Sequence, residues 1–479
     1  MVSLKFLVLL IFSFSIVSAN SIKRNEDNGI RERAFNSSKE CGNLKQFDKL
    51  KQRILSLRDD VNRIIRSVQD GDEKGKTWEE LADFCYTFGP RMSGSKSLDD
   101  AIEYMKQKMG ASGLKVSAEP ALIPKWEVYD QWAEMTEPRR QKMAILALGS
   151  SVATNGTLDR EVVLVHDFDE LDRLGDRLED KIVVYNYKFT NYSASVVYRT
   201  QGALRAAKFG AAAALIRSVT PFSIYSPHTG MATRSIPTAA ITTEDADLIE
   251  ALLKRGKRVR IKLHLETRHF DDVESYNLIG DIEGSERANE VVLVSGHIDS
   301  WYNTDGAMDD GGGMMTSFRA LEVLKRLGLR GQRTMRAILW TSEEFGLIGA
   351  RQYFNDHKHE LDNFKVVIES DAGTFTPTGL GYKNLGPLGQ CVVKEVLRLL
   401  TSIGADNLST EYEGSDIEYF TEAKVPGLSL LNENSKYFYF HHTSGDSMAV
   451  EDPDSLDKAT IVFASTLYVL SQLEVDLRM

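Results

Sequence analysis

The chain has 479 residues, which is too long for one ordinary hydrophobic core and predicts two or three domains. Hydrophobic residues make up 42% and charged residues 27%, a balance typical of soluble globular proteins. The formal net charge is -11 and lysine and arginine form no dense stretch, so we expect no nucleic-acid partner.

The N-terminus predicts a secretory signal peptide over residues 1–19. Lys5 precedes an apolar run over residues 6–17, and Ser18 and Ala19 supply small side chains where a signal peptidase would cut. A membrane anchor is the alternative, but the run is short against the roughly 20 apolar residues of a spanning helix. We therefore expect a secreted, extracellular protein with no membrane partner, and the lumen of the lysosome, Golgi or endoplasmic reticulum remains an open alternative.

Four Asn-x-Ser/Thr triplets support export and predict a glycoprotein. The acceptor residues would be Asn36, Asn155, Asn191 and Asn407.

The chain has three cysteines, an odd number that permits at most one internal disulfide and leaves a free thiol. Their spacing does not say which two of Cys41, Cys85 and Cys391 pair.

The next segments differ in composition and predict the domain order. Residues 20–43 are polar and charged, which predicts either disorder or a pro-segment, and hence a zymogen. From Phe47 to Val68 apolar residues recur at helical spacing and predict one amphipathic helix of about six turns. Residues 126–270 combine short strands with an alanine-rich helix and hold no cluster of titratable residues. We interpret them as an α/β domain inserted between residues 44–125 and 271–479.

The C-terminal part repeats a strand–loop–helix pattern. Continuous apolar runs at 291–294, 337–340 and 366–368 predict parallel strands that are covered on both faces. The predicted class is α/β, with a doubly wound, mixed but mainly parallel sheet. The three runs lead into His297, into Glu343 and Glu344, and into Asp371. Because ligands of open α/β sheets bind beyond the carboxyl ends of the strands, we expect these side chains to converge.

Two further motifs offer metal ligands. A glycine-rich loop, residues 306–313, contains Asp309, and an aromatic run leads into His441 and His442. The loop could equally be a flexible turn with solvated aspartates, and a histidine could be an ordinary core residue. No Gly-Lys-Ser/Thr follows the loop, so a phosphate-binding loop is excluded. Neither Gly-x-Ser-x-Gly nor His-Glu-x-x-His occurs, which argues against a serine hydrolase and against the common single-zinc proteases.

The side chains together match the needs of a two-zinc centre. Imidazole and carboxylate groups are good zinc ligands. Two ions about 3.5–4 Å apart need one bridging carboxylate and two further ligands each. Five side chains fill these places, and Glu343 is left to act as a general base. The five predicted ligands are His297, Asp309, Glu344, Asp371 and His442.

These motifs, in this order, resemble the co-catalytic di-zinc aminopeptidases and carboxypeptidases over essentially the whole mature chain. The resemblance implies the zinc-dependent exopeptidase fold, with residues 126–270 as a protease-associated domain. It implies that Asp309 bridges two zinc ions, that His297 and Asp371 complete one site, and that Glu344 and His442 complete the other.

The resemblance also implies the reaction and the supporting residues. Metal-bound hydroxide would attack the peptide bond of short unblocked peptides, with Glu343 as base and then acid, in a homodimer. Asp299 would accept a hydrogen bond from the ring of His297, Asp446 would support the site, and the Asp309–Asp310 peptide bond would be cis. Some relatives carry a tyrosine before the last histidine to stabilise the oxyanion, and His441 occupies that position here.

Two alternatives belong to other functional classes. One is a catalytically inactive binding or receptor protein on the same fold, and the other is a single-zinc acyltransferase that cyclises N-terminal glutamine. The complete ligand set with Glu343 favours catalysis. Whether N-terminal or C-terminal residues are removed is left open.

Overall fold

The computed structural model describes residues 41–42, 44 and 46–479. The predicted signal peptide, Asn36 and most of the predicted pro-segment lie outside the described residues. Among residues 46–479, no helix combines the length and the apolar character that a membrane span requires.

The strands and helices alternate along most of the chain. The strands are β1 Lys115–Ile123, β2 Trp126–Glu137, β3 Gln141–Met143, β4 Ile145–Ala147, β5 Leu158–Val165, β6 Ile182–Tyr185, β7 Ala213–Arg217, β8 Thr238–Ile241, β9 Arg260–His269, β10 Val273–Ile282, β11 Arg287–His297, β12 Arg333–Trp340, β13 Phe364–Glu369, β14 Pro377–Lys383, β15 Asn407–Ser409 and β16 Gly427–Asn432.

The helices are α1 Phe47–Ser56, α2 Arg58–Gln69, α3 Lys76–Phe88, α4 Lys96–Ala111, α5 Phe168–Leu174, α6 Tyr192–Ala207, α7 Thr243–Lys254, α8 Gly312–Arg326, α9 Ile348–His357, α10 Pro387–Leu397, α11 Glu418–Glu422, α12 Tyr437–Phe440 and α13 Pro453–Ser471. Short 3₁₀ segments add Gly175–Leu178, Lys358–Asn363, Arg398–Ile403, Asn434–Lys436 and Met448–Val450.

The first sheet confirms the predicted mixed, mainly parallel α/β class. Its strand order is β1-β10-β12-β11-β13-β16-β14-β15, and β12, β11, β13 and β16 run parallel to one another. Alternate side chains of β11 pack in different hydrophobic clusters, one on each face of the sheet. Val292 packs in the cluster that contains Phe318 of α8, whereas Leu293 packs in the cluster that contains Tyr353 of α9. Helices therefore bury both faces of the sheet, which is why its strands are continuous apolar runs.

The second sheet is built entirely from residues 126–269. Its order is β3-β2-β9-β5-β6-β7-β8-β4, and β5 to β8 form a parallel core. The chain leaves the first sheet after β1 and returns to it in β10, and these two strands pair antiparallel from Ile123 opposite Val273. The segment that forms the second sheet thus begins and ends at the same end of the β1–β10 pair.

The N-terminal helix prediction needs correction. The structure has two helices, α1 and α2, which meet at Leu57 with backbone angles φ -93 and ψ 0. The amide of Leu57 donates to the carbonyl of Ile54 at 3.0 Å, a tighter turn than an α-helix makes. Because Leu57 is itself buried, the apolar period continues across the break and hides it in the sequence.

A disulfide joins Cys41 to Cys391 of α10, with 5.8 Å between their Cα atoms, and Cys85 is a buried free thiol. The bond ties the start of the described chain to the helix against which α1 packs.

Candidate metal centre

Three neighbouring strands deliver the predicted ligands to one edge of the first sheet. His297 is the last residue of β11 and lies opposite Trp340, the last residue of β12. Glu343 and Glu344 follow β12, and Asp371 follows β13, which flanks β11 on its other side. Adjacency of β12, β11 and β13 therefore brings the side chains together as the sequence predicted.

The turn after β12 is held by Asp299. Its carboxylate oxygens accept hydrogen bonds from the backbone amides of Glu343 and Glu344, at 3.0 and 3.3 Å. The structure thereby corrects the expected role of this carboxylate. The Nδ1 atom of His297 lies 3.1 Å from the backbone oxygen of Asp299 and 3.6 Å from its carboxylate, so the main chain receives the ring hydrogen bond. In either case Nδ1 carries a hydrogen, so Nε2 is the ring nitrogen that can bind a metal ion.

The loop before α8 presents Asp309 between the two histidines. Backbone angles are irregular at Asp309 and Asp310, whose connecting peptide bond is cis. The carboxylate of Asp446 accepts hydrogen bonds from the amides of Met308 and Asp309, at 2.7 and 3.2 Å. Asp446 thus supports the loop by holding its backbone.

The first candidate site consists of His297, Asp309 and Asp371. The Nε2 atom of His297 lies 3.3 Å from Oδ1 of Asp309 and 3.4 Å from Oδ1 of Asp371. A zinc ion with tetrahedral bonds of about 2.0–2.1 Å holds its ligand atoms about 3.3 Å apart. Both distances therefore match an edge of a zinc coordination tetrahedron, and the three ligand atoms all lie within 4.8 Å of one another.

The second candidate site uses the other oxygen of Asp309. The Nε2 atom of His442 lies 3.3 Å from Oδ2 of Asp309 and 3.0 Å from Oε2 of Glu344. His441 is also close, with its Nε2 3.5 Å from Oδ2 of Asp309. The two oxygens of Asp309 thus face different histidines, as a bridging carboxylate requires.

The chemistry of these atoms fits zinc. His297 Nε2, Asp309 Oδ2 and Glu344 Oε1 are buried and have no hydrogen-bond partner. Buried polar atoms normally have partners, and a cation would supply the missing ones. Burial lowers the pKa values of His297 and His442, but the surrounding carboxylates outweigh it and hold both pKa values well above their usual range. A bound cation would displace those protons.

Glu343 lies beside the first candidate site without joining it. Its Oε2 is 4.0 Å from Nε2 of His297, and its side chain is 16% exposed. Burial raises the pKa of Glu343 well above its usual range, and the negative charges of Asp371 and Glu344 act in the same direction. A carboxylate with a raised pKa is suited to take up and return a proton near neutral pH.

His441 is held as a neutral ring. Burial, aided by the nearby His442, lowers its pKa well below the usual range. Its ring stacks on that of His442 and meets the edge of Tyr192. A neutral imidazole with Nε2 toward Asp309 can donate one hydrogen bond on that side of the ring.

Several supporting residues were not predicted. Asp310 accepts a hydrogen bond from the amide of His297 at 3.0 Å, and Ser415 donates to Oδ2 of Asp371. Arg199 and Thr229, from the second sheet's unit, contact His442. The position of Asp310 next to a predicted ligand was a usable signal, whereas the other three are distant in sequence and carry no local one.

Sequence comparison identifies relatives that match essentially the whole chain. Human carboxypeptidase Q is 43% identical over 482 residues, which cover 98% of this chain and 99% of that protein. The chain belongs to the carboxypeptidase Q family. The model of peptidase family M28 matches residues 277–467, a span that contains all five predicted ligands and Glu343.

Solved structures show the same fold. A peptidase M28 precursor from Shewanella amazonensis SB2B superposes with a TM-score of 0.84 at 29% identity, over 89% of this chain and 99% of that one. BSAP, a zinc aminopeptidase from Bacillus subtilis, superposes with a TM-score of 0.65 at 22% identity, over 84% and 96% of the two chains. These two structures therefore agree with the fold described above.

Proposed function

We propose that this chain hydrolyses peptide bonds of short unblocked peptides at a centre of two zinc ions. It is a zinc-dependent exopeptidase of the carboxypeptidase or dipeptidase type. The observation that carries the proposal is the placement of Asp309, whose Oδ1 lies 3.3 Å from His297 Nε2 while its Oδ2 lies 3.3 Å from His442 Nε2. One carboxylate between two separate histidines is the arrangement that a pair of metal ions requires.

The residues divide between the two ions as the geometry groups them. His297 and Asp371 would hold one ion, Glu344 and His442 the other, and Asp309 both. When bound, the zinc ions polarise the scissile carbonyl and lower the pKa of water. Asp299, Asp310 and Asp446 hold the backbone from which these ligands project.

Glu343 moves the protons of the reaction. It accepts the proton of the attacking water and returns it to the departing amine, so that the same carboxyl acts first as base and then as acid. His441 donates a hydrogen bond from Nε2 to the oxygen of the reacting carbonyl, where negative charge develops. Both groups border the candidate ligands: Oε2 of Glu343 is 4.0 Å from His297 Nε2, and Nε2 of His441 is 3.5 Å from Asp309 Oδ2.

The decisive experiment compares the purified protein with its Glu343→Gln variant on a panel of free dipeptides. We expect the variant to retain its zinc and its kcat to fall by a factor of about 10²–10⁴, because only the proton acceptor is removed. The matched control is Glu433→Gln, an exposed glutamate, which should behave as wild type. Unchanged turnover in Glu343→Gln would assign the base to another group, and a zinc-loaded wild type that cleaves nothing would refute the function.

The same panel, extended with end-blocked dipeptides, decides the polarity of cleavage. We propose that the enzyme recognises the free C-terminal carboxylate more strongly than the free amine, so amidation of a dipeptide should reduce its cleavage more than acetylation does. Activity that disappears with a chelator and returns with added zinc, saturating at two equivalents, would support the count of two. The inactive binding or receptor protein is not favoured, because the ligand set and Glu343 are complete.

We also propose a secreted or luminal glycoprotein that is made as a zymogen and assembles as a homodimer, with residues 126–270 as a protease-associated domain. Asn155, Asn191 and Asn407 are exposed, which glycosylation requires. Light scattering of the purified protein before and after glycosidase treatment measures both the assembly and the attached sugar. A monomeric mass throughout would exclude the dimer.

A further inference from the structure

The unit built on the second sheet closes over the segment that carries His442. The amide of Thr229 donates to the backbone oxygen of His442 at 3.1 Å, and the hydroxyl of Thr220 donates to the backbone oxygen of Phe438 at 2.5 Å. His442 itself has a φ of 62, in the left-handed region that residues other than glycine seldom adopt. Its backbone is therefore held in an unusual conformation, in part by contacts from the other unit.

The side chain of His442 is held by the same residue. Its Nδ1 lies 3.2 Å from the backbone oxygen of Thr229. A carbonyl oxygen only accepts, so Nδ1 carries a hydrogen, and Nε2, on the side of Asp309 and Glu344, is the atom left to bind a metal ion that displaces its proton. Thr229 thus contacts His442 twice, once through its amide and once through its carbonyl, and it selects the tautomer that can bind a metal ion.

Arg199 holds Thr229 in turn. This arginine, on α6, is only 4% exposed, and its Nη1 donates to the backbone oxygen of Thr229 at 3.1 Å while Nη2 donates to the hydroxyl of Tyr192 at 2.8 Å. Its guanidinium lies against Gly230, where a β-carbon would approach Cζ to 2.3 Å. The backbone at 229–230 and the guanidinium therefore fit each other closely.

The charge of Arg199 lacks the usual partner. Within residues 46–479, no carboxylate lies at ion-pair distance from it, and its buried Nε has no hydrogen-bond partner. A buried charge without an opposite charge is costly and seldom serves stability alone. Its Nη1 is 3.5 Å from Nδ1 of His442, but both atoms carry hydrogen, so the bond that matters is the one to the oxygen of Thr229.

We propose that Arg199 is a positioning residue for the metal centre, acting on His442 through the carbonyl of Thr229. The unit of residues 126–269 then completes the surroundings of a metal ligand whose own sequence lies 243 residues from Arg199. This inference rests on the proposed function, because it takes His442 as a zinc ligand. Partners that orient a metal-bound histidine commonly change metal affinity or activity by about 10–100-fold when they are lost.

A direct role in binding the substrate carboxylate is the competing explanation. Arg199 lies on the Nδ1 side of the His442 ring, whereas the candidate ligands Asp309 and Glu344 lie on the Nε2 side. Arg199 is 4% exposed, and its guanidinium donates two hydrogen bonds to protein groups, so it is directed at the protein and not at solvent. The geometry therefore favours positioning.

The test measures metal binding as well as turnover, in full-length Arg199→Gln and in wild type. We expect one of the two zinc equivalents to bind about 10–100-fold more weakly and the visible spectrum of the cobalt-substituted protein to change. We expect kcat to fall while KM for a free dipeptide changes by less than about threefold, since the substrate does not touch Arg199. Arg199→Lys, which keeps one donor, should recover part of the loss.

Controls separate the possible outcomes. Arg205→Gln, on the same helix but stacked on Phe168, should bind metal as wild type does. Tyr192→Phe removes only the hydroxyl that holds Nη2 and should shift metal affinity in the same direction by a smaller factor, which keeps the test valid if Arg199→Gln does not fold. Wild-type metal affinity in both Arg199→Gln and Tyr192→Phe would overturn the inference. So would a change in Arg199→Gln that is confined to KM for free dipeptides and absent for amidated ones. A wild type that binds no zinc would instead overturn the proposed function.

Discussion

The buried carboxylate of Asp457 predicts how the stability of the fold depends on pH. Asp457 lies in α13 and is 3% exposed; one of its oxygens accepts a hydrogen bond from the amide of Gly75 at 2.8 Å, and the other has no partner. Burial raises its pKa from the ordinary 3.8 to about 6, against the opposing hydrogen bond from Gly75; Asp454 adds to the rise, and Arg319 and Lys74 also oppose it. The folded protein therefore prefers the neutral carboxylic acid.

The sign and size of the effect follow from this shift. Below pH 3.8 the group is protonated in both folded and unfolded chains and contributes nothing. As the pH rises from 3.8 to 6 the unfolded chain loses its proton first, so stability falls, and above pH 6 the loss is complete. At ~1.4 kcal/mol for each pKa unit, the full loss is about 3 kcal/mol.

Asp457→Asn removes the charge and keeps an oxygen for the amide of Gly75. We expect the variant to raise the free energy of unfolding by up to about 3 kcal/mol at pH 8 and to change it little at pH 4, as measured by urea denaturation of zinc-free protein. The control Asp454→Asn alters an exposed aspartate in the same helix and should change stability by less than about 1 kcal/mol at both pH values. An equal effect of Asp457→Asn at both pH values, or a loss of stability at pH 8, would refute the reasoning.

Two further predictions concern the metal centre. Gly296→Ala would place a β-carbon 2.5 Å from Oδ2 of Asp310 and from the amide of Met314, so we expect displacement of the loop, a loss of roughly 1–3 kcal/mol of stability and weaker zinc binding, measured by thermal unfolding and chelator competition. Gly110→Ala, where a β-carbon meets nothing within 4 Å, is its control and should retain both properties. His441→Gln should lower kcat by about 10²–10³ and leave the zinc content intact, whereas an equal loss of zinc would make His441 a ligand instead.

The sequence predicts the sheet edge well because the relevant signals are local. Each of the three apolar runs had to be a strand buried on both faces, and a side chain that follows such a strand has only one edge to occupy. From the sequence alone, this reasoning predicts that His297, Glu344 and Asp371 lie near one another. The prediction of His442 rested on the number of ligands that two zinc ions need, since its segment follows an aromatic run and no predicted strand.

Other features could not be predicted, because they depend on contacts between distant segments. The break at Leu57 has no glycine or proline to mark it, and the apolar period runs through it. Arg199 sits in a helix whose sequence gives no sign that its guanidinium meets a loop bearing Thr229. The choice of Asp299's main-chain oxygen over its carboxylate is a matter of a few tenths of an ångström, which composition and spacing do not encode.

The bond between Cys41 and Cys391 has a consequence for maturation. If proteolysis cut the polypeptide at residue 43, the expected boundary of the pro-segment, the severed piece would still include Cys41. In an oxidising compartment it would stay attached to α10 as a short second chain. Cleavage of the pro-segment and its release would then be separate events. Only reduction of the disulfide, or a further cut on the N-terminal side of Cys41, would let most of the pro-segment diffuse away.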